Sequence, residues 1–227
     1  MKVLELFSGT RSIGKAFEAR GHEVFSIDFD RRFLANAHCD IETLTTEQIL
    51  EWFGKPDVIW ASPDCATFSV AAISHHREKD PATGALLPKT EYAAKCDRTD
   101  AHVMELIRDL APRYWFIENP RGGMRKMPWM QDLPRYTVTY CQYGDKRQKP
   151  TDIWTNHPDP QFKPPCKPGA PCHEPAPRGS RTGLYVQPTV LAFPRGSRTG
   201  TQGIKASLDR SRIPSQLCEH IADICER

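Results

Sequence analysis

Short apolar runs alternate with amphipathic stretches through residues 1–120, and this rhythm predicts strand–helix–strand units built around a parallel sheet. Val3–Phe7 reads as a buried strand, Ser12–Arg20 as a helix, and Glu23–Ile27 as a second strand that delivers Asp28 and Asp30. Thr46–Phe53 follows as a short helix and Asp57–Ala61 (DVIWA) as a strand without polar interruption. In Ala101–Leu110, Val103, Leu106, Ile107 and Leu110 fall on one helical face. Tyr114–Ile117 is the next strand and runs straight into Glu118-Asn119-Pro120. Tyr136–Tyr140 alternates as a less buried strand, and Ile213–Ile224 predicts a closing helix with Pro214 in its first turn. The class is α/β.

Two stretches break the rhythm. Residues 69–100 contain HHREKDPATG and read as a long loop over the carboxyl edge of the sheet, where such folds carry function. Residues 155–203 are rich in proline and hold the heptapeptide PRGSRTG twice, at 177–183 and 194–200, a loop duplication with irregular backbone. The division expected is a core at 1–154, an irregular Pro/Arg-rich appendage at 155–210, and a C-terminal helix at 211–227 that packs back on the core. A length of 227 residues suits one domain with appendages.

The net charge of +3 conceals an imbalance, because residues 1–120 hold 14 basic against 19 acidic side chains and residues 121–227 hold 17 against 9. A polyanion is therefore expected against the C-terminal half. No apolar run nears the roughly 20 residues of a membrane span, and Met1–Phe7 leads into polar, Gly-rich sequence, unlike a signal peptide. A soluble, cytoplasmic, monomeric protein with no membrane contact is expected. The eight cysteines are scattered and read as reduced thiols, each needing its own account.

Leu4–Gly14 (LELFSGTRSIG) sets a turn of small residues between the first strand and the first helix. Backbone there either approaches a ligand or simply turns tightly. Asp28 favours a ligand, since an acid ending the second strand is where Rossmann-type sites hold ribose hydroxyls. Asp40 either accepts from an adenine amine or caps a turn. Cys65, delivered by the DVIWA strand beside Pro63, is placed like a nucleophile, although a buried cysteine is more often a small hydrophobe. Glu118 ends a neighbouring strand on the same edge, so a nucleophile and a carboxylate converge.

Taken in order, these segments resemble the cytosine-5 DNA methyltransferase family, in particular its short bacteriophage-type members. LELFSGT is similar to that family's first cofactor motif, and SIDFD and CDI to the second and third. SPDCATFS is similar to the Pro-Cys nucleophile loop, ENP to the Glu-Asn-Val motif, and CQYGDKRQK at 141–149 to the Tyr-Gly segment near the target base. The likeness covers residues 3–154 and, weakly, the helix after Arg212. Asp64 stands where a second proline is usual, Arg11 where a glycine is usual, and Lys149 and Thr151 where the family has Arg-x-Arg.

The resemblance implies a Rossmann-like S-adenosylmethionine-dependent fold and methylation of DNA cytosine at carbon 5. It implies catalytic roles for Cys65, Glu118, Asn119, Arg147 and Lys149, and cofactor contacts from Phe7, Ser8, Gly9, Thr10, Asp28, Phe29, Asp40, Ile41 and Pro63. A flipped base is implied for a duplex substrate, with the 69–100 loop and His75-His76 as candidates to close over it. An RNA cytosine or free nucleotide would use the same Cys65 and Glu118, and a relative that binds DNA without turnover is the rival outside enzymes. Its setting would be a bacterial or phage-infected cell. In the tail, Arg178, Arg181, Arg195, Arg198, Lys205, Arg210 and Arg212 could meet phosphates or solvent. Cys166, Cys172 and His173, with His157 upstream, supply atoms that bind zinc, although without a Cys-x-x-Cys pair.

Overall fold

The structure, a computed structural model, describes residues 1–167, 170–174 and 207–227. Both PRGSRTG copies lie outside the described residues. Strands β1 (Lys2–Leu6), β2 (Glu23–Ile27), β3 (Val58–Ala61), β6 (Tyr114–Pro120), β7 (Arg135–Thr139) and β8 (Pro150–Thr155) form one sheet in the order β2-β1-β3-β6-β8-β7. The first four are parallel, β8 runs antiparallel to β6, and β7 at the edge runs antiparallel to β8.

Alternation along each strand builds two cores. Leu4 and Leu6, Ile59 and Ala61, Ile117 and Trp154 face one side. There they meet α2 (Thr46–Trp52) and α4 (Glu91–Leu110), through residues such as Ile49, Val103 and Leu106. Val3, Val58, Trp60, Phe116 and Ile153 face the other, under Ile13 and Phe17 of α1 (Ser12–Glu18) and Leu217 and Ile221 of α6 (Ser215–Glu226). A strand covered on both faces must be apolar throughout, which is why DVIWA shows no alternation. Among the described residues no helix is long and apolar enough to cross a membrane.

Several expected elements shift. The helix expected at 101–110 begins at Glu91, capped by Thr90, whose hydroxyl accepts from the Ala93 N–H at 3.2 Å. Its first two turns, EYAAKCD, bury only the small Ala93 and Cys96, which hid them from a pattern of large apolar residues. The remaining loop is not irregular throughout: it holds the single turn α3 (Ile73–His76) and a hairpin of β4 (Arg77–Lys79) and β5 (Leu86–Pro88). Strand β8 went unpredicted, since PTDIWT opens on proline and carries a charge that proves to be buried and paired: Asp152 accepts from Arg125 at 2.5 Å and from Thr137 Oγ1 at 2.7 Å. Pro214 precedes the last helix instead of occupying its first turn. Residues 156–167 and 170–174 carry no helix or strand. The short helix α5 (Ser207–Ser211) leads back toward α6.

Candidate active site

Strand register decides what meets at the carboxyl edge. Ile27, Leu6, Ala61 and Ile117 are paired in one row across the parallel strands. The residues that follow them, Asp28, Phe7, Ser62 and Glu118, therefore emerge side by side. Because β8 is antiparallel and pairs Thr151 with Pro120, its entry at Lys149-Pro150 returns to the same edge.

The first turn is organised by a buried acid. Glu5 accepts from the Gly14 N–H at 3.0 Å and from Ser26 Oγ at 2.9 Å, and burial raises its pKa. A Cβ on Gly14 would lie 2.6 Å from the Glu5 carboxylate, so a side chain there would push that carboxylate out of place. Arg11 occupies the left-handed position before α1 (φ 56°), the conformation that explains a glycine elsewhere in the family. Its guanidinium donates to Ser26 Oγ at 2.9 Å and pairs with Glu18, which offsets the strain. Asp28 is buried and accepts from the N–H groups of Gly9 and Asp30, both at 2.8 Å. Each carboxylate oxygen keeps acceptor capacity for a ligand. Phe29 beside it is 74% exposed, and Ser8 Oγ is buried with no partner among the described residues. A cleft of about 1140 Å³ opens on the flank of this turn, with Gly9, Thr10 and Ser12 on one wall and Arg147, Arg212 and Gln216 on the other.

Farther out the assignments separate. Asp40 caps the turn at Ile41–Thr43, accepting from the Glu42 N–H at 3.1 Å, and pairs with Lys95 at 2.5 Å, as the capping alternative requires. Ile41 is 2% exposed and packs in the core, so its side chain contributes there.

The loop bearing Cys65 is stitched down at three points. Asn119 Nδ2 donates to the Pro63 carbonyl at 3.0 Å, and the Gly123 N–H to the Phe68 carbonyl at 2.7 Å. A Cβ on Gly122 would come within 2.4 Å of that carbonyl, so the turn after Glu118-Asn119-Pro120 touches the nucleophile loop backbone to backbone. The third anchor is Arg77, whose fully buried guanidinium donates to the Thr67 carbonyl and hydroxyl at 3.0 Å, pairs with Asp97 at 2.6 Å, and lies over the Phe68 ring. Asp64 holds the turn before Cys65 by accepting from the Ala66 N–H at 2.8 Å and from the Tyr92 hydroxyl. His75 and His76 sit in α3, with His76 against Thr90 and Tyr92, so His76 buttresses the loop from behind.

Electrostatics tie the remaining groups together. Burial, then Glu118 and Asp64, push the Cys65 thiol up to about 11, while Lys149 pulls it down. Burial raises the Glu118 carboxyl, opposed by Lys149 and by a Tyr140 hydroxyl donating to it at 2.9 Å. Lys149 is itself lowered by burial and lies over the Tyr140 ring at 4.4 Å. Its backbone is left-handed (φ 27°), which sets the chain's entry into β8. Arg147 differs: it is buried, paired with Asp145 and donating to the Arg210 carbonyl at 3.0 Å. It clamps the 145–149 turn to the C-terminal segment, a positioning geometry distinct from the catalytic role expected for it.

Of the zinc candidates, Cys166, Cys172 and His173 come together and His157 does not. His157 is buried elsewhere, its Nε2 3.0 Å from the Ile224 carbonyl. The fourth member is Cys141, missed because it lies 25 positions before Cys166 inside the Tyr-Gly segment.

A six-stranded mixed sheet with two helical layers and a cofactor-type turn after β1 defines an α/β methyltransferase fold. In structure, 68% of this chain superposes on 46% of an E. coli prophage-encoded protein described as a putative DNA modification methyltransferase, with TM-score 0.50 and 18% identity. It likewise covers 48% of the S. pombe Dnmt2 methyltransferase, with TM-score 0.47 and 15% identity. The matched part is thus about half the length of those solved chains. No protein-family model matches. In sequence, the chain is 30% identical over 233 residues to the probable DNA (cytosine-5)-methyltransferase of Frog virus 3 (isolate Goorha), covering 99% of this chain and all of that protein. The chain belongs to the cytosine-5 DNA methyltransferase family.

Proposed function

We propose that this protein methylates cytosine in DNA at carbon 5 through a covalent bond from Cys65 to carbon 6 of the base. The observation that carries the reading is the convergence of Cys65, Glu118 and Lys149 on one sheet edge, each feeling the others' charge. Carbon 5 of cytosine is a poor nucleophile, and adding the Cys65 thiolate at carbon 6 makes it enamine-like. Glu118, whose pKa burial raises, would donate a hydrogen bond or proton where negative charge develops at ring nitrogen 3. Lys149 favours both the thiolate and the carboxylate, in the place where relatives use arginine. Asn119 holds Pro63 and thereby the nucleophile loop. Once carbon 5 carries the new methyl group, loss of its proton to solvent expels the Cys65 sulfur and restores the ring.

S-adenosylmethionine, when bound, supplies an electrophilic methyl group. The turn fits it: Ser8 brings an unpartnered buried hydroxyl, Asp28 spare acceptors, and Phe29 an open aromatic face. Phe7, Gly9, Thr10 and Pro63 complete the holding set. Asp28→Ala should lower S-adenosylmethionine affinity by about 1.5–3 kcal/mol, the scale of a hydrogen bond to a charged group. Calorimetry giving an unchanged constant would place the ribose elsewhere.

The 155–210 region is the proposed DNA-contacting part, supported by its arginine content and by the basic excess of residues 121–227. The likeness to a Frog virus 3 protein supports a virus-encoded enzyme, without distinguishing the bacteriophage type that the motifs resemble. Mass spectrometry of nucleic acids from cells expressing the protein tests the whole reading. 5-Methylcytosine should rise in DNA with wild type and stay at background with Cys65→Ala. A rise confined to RNA would replace the substrate.

A further inference from the structure

We infer that Cys141, Cys166, Cys172 and His173 bind one zinc ion, and that this ion pins the catalytic 140–149 turn to the segment that leads into the arginine repeats. The four ligand atoms lie within 4.8 Å of one another. Cys141 Sγ is 3.1 Å from Cys166 Sγ and 3.6 Å from Cys172 Sγ, and His173 Nδ1 is 3.6 Å and 3.7 Å from the sulfurs of Cys166 and Cys172. Tetrahedral zinc, with Zn–S near 2.3 Å and Zn–N near 2.05 Å, demands S···S edges of about 3.8 Å and S···N edges of about 3.6 Å. Four of the six edges match that cage to within about 0.7 Å, and the other two lie within 4.8 Å. The 3.1 Å separation is far beyond the roughly 2.04 Å of a disulfide. Three thiols and an imidazole form the donor set of a structural site.

A supporting shell is in place. Gln148 Nε2 donates to Cys166 Sγ at 3.4 Å and to the Cys166 carbonyl at 3.2 Å, Gln142 Nε2 donates to Cys172 Sγ at 3.4 Å, and Thr139 Oγ1 accepts from the Cys166 N–H at 3.0 Å. Amide donors aimed at sulfur stabilise thiolates, as the second shell of a metal centre does. The Glu174 N–H donates to the Lys146 carbonyl at 2.8 Å, which joins the two stretches beside the cluster.

The position gives the ion its task. Cys141 follows Tyr140, which holds Glu118 and lies under Lys149. Residues 156–167 and 170–174 offer no helix or strand to brace that turn. A segment with little apolar side chain to bury gains order from a metal clip instead. The site stands on ligand geometry alone and is independent of the methyltransferase reading.

Elemental analysis of the full-length protein, purified from zinc-replete cells without chelator, should give one zinc per chain, and Cys166→Ser/Cys172→Ser should give none. Because that variant could unfold, the second measurement uses the wild type. Cobalt exchanged into the site should show the intense visible bands and sulfur charge transfer of tetrahedral thiolate ligation. Stripping the metal should expose Cys141, Cys166 and Cys172 to alkylation and speed hydrogen exchange across residues 140–149. Metal-free protein from such cells, a Cys141–Cys166 disulfide in peptide maps, or exchange at 140–149 indifferent to stripping would each overturn the inference.

Discussion

Cys65→Ala will bind S-adenosylmethionine as the wild type does and will lose at least ~10³-fold in methyl transfer, because removing a covalent nucleophile removes the path itself. A duplex carrying 5-fluorocytosine should trap the wild type as an adduct at Cys65, since fluorine blocks the last elimination. The alanine variant should trap nothing. The thiol adds a sign that can be read without DNA. Pushed up to about 11, it is almost wholly protonated at neutral pH, so its alkylation rate should climb about tenfold per pH unit below that value. Lys149→Ala should move the profile further alkaline, since Lys149 favours the thiolate. Carbon 5 methylation by the alanine variant, or an adduct mapped to another cysteine, would sink the assignment.

Glu118→Gln should lower kcat by about 10²- to 10³-fold, the range seen when a preorganised stabilising group is removed, and should raise thermal stability near pH 7. The two effects share a cause. Burial raises the folded-state pKa of Glu118 above its unfolded value, so the folded protein binds that proton more tightly. Its stability contribution is present below the unfolded value and is lost as pH rises through the folded one. At neutral pH the wild type therefore carries a cost that glutamine, with an oxygen still able to accept from Tyr140, does not. The gain should vanish below roughly pH 4, where the unfolded glutamate is protonated too. Melting curves at the two pH values together with single-turnover rates decide it. A variant less stable at neutral pH, or as fast as wild type, would make Glu118 a structural group.

Much of this was legible because burial on both faces of a sheet leaves an unmistakable mark. Val3–Phe7, apolar but for Glu5, together with DVIWA and the run before Glu118 announced themselves by apolar character, and strand ends pointed to Asp28, Cys65 and Glu118. Elements stabilised by polar contacts were silent. Nothing local in Pro150–Thr155 says strand, because its central acid is neutralised by Arg125, distant in sequence. The hairpin around Arg77 was silent for the same reason, and the first turns of α4 because they bury only the small Ala93 and Cys96. Arg77 in a charged stretch, HHREKD, looked like solvated loop, and only the fold reveals it seated among Thr67, Asp97 and Phe68. Cys141 was legible as part of a motif and not as a ligand, since its partners are set by tertiary structure.

The depth of Arg77 bears on how salt should act on this enzyme. Ions in solution screen charges they can surround, and the Arg77 guanidinium is wholly out of their reach. The seat of the nucleophile is accordingly indifferent to ionic strength, whereas contacts between arginines and phosphates weaken steeply with it. Added salt should therefore raise KM for DNA and leave the single-turnover rate at saturating substrate alone, so that an enzyme seemingly inactivated by salt is an intact one that has let go of its strand.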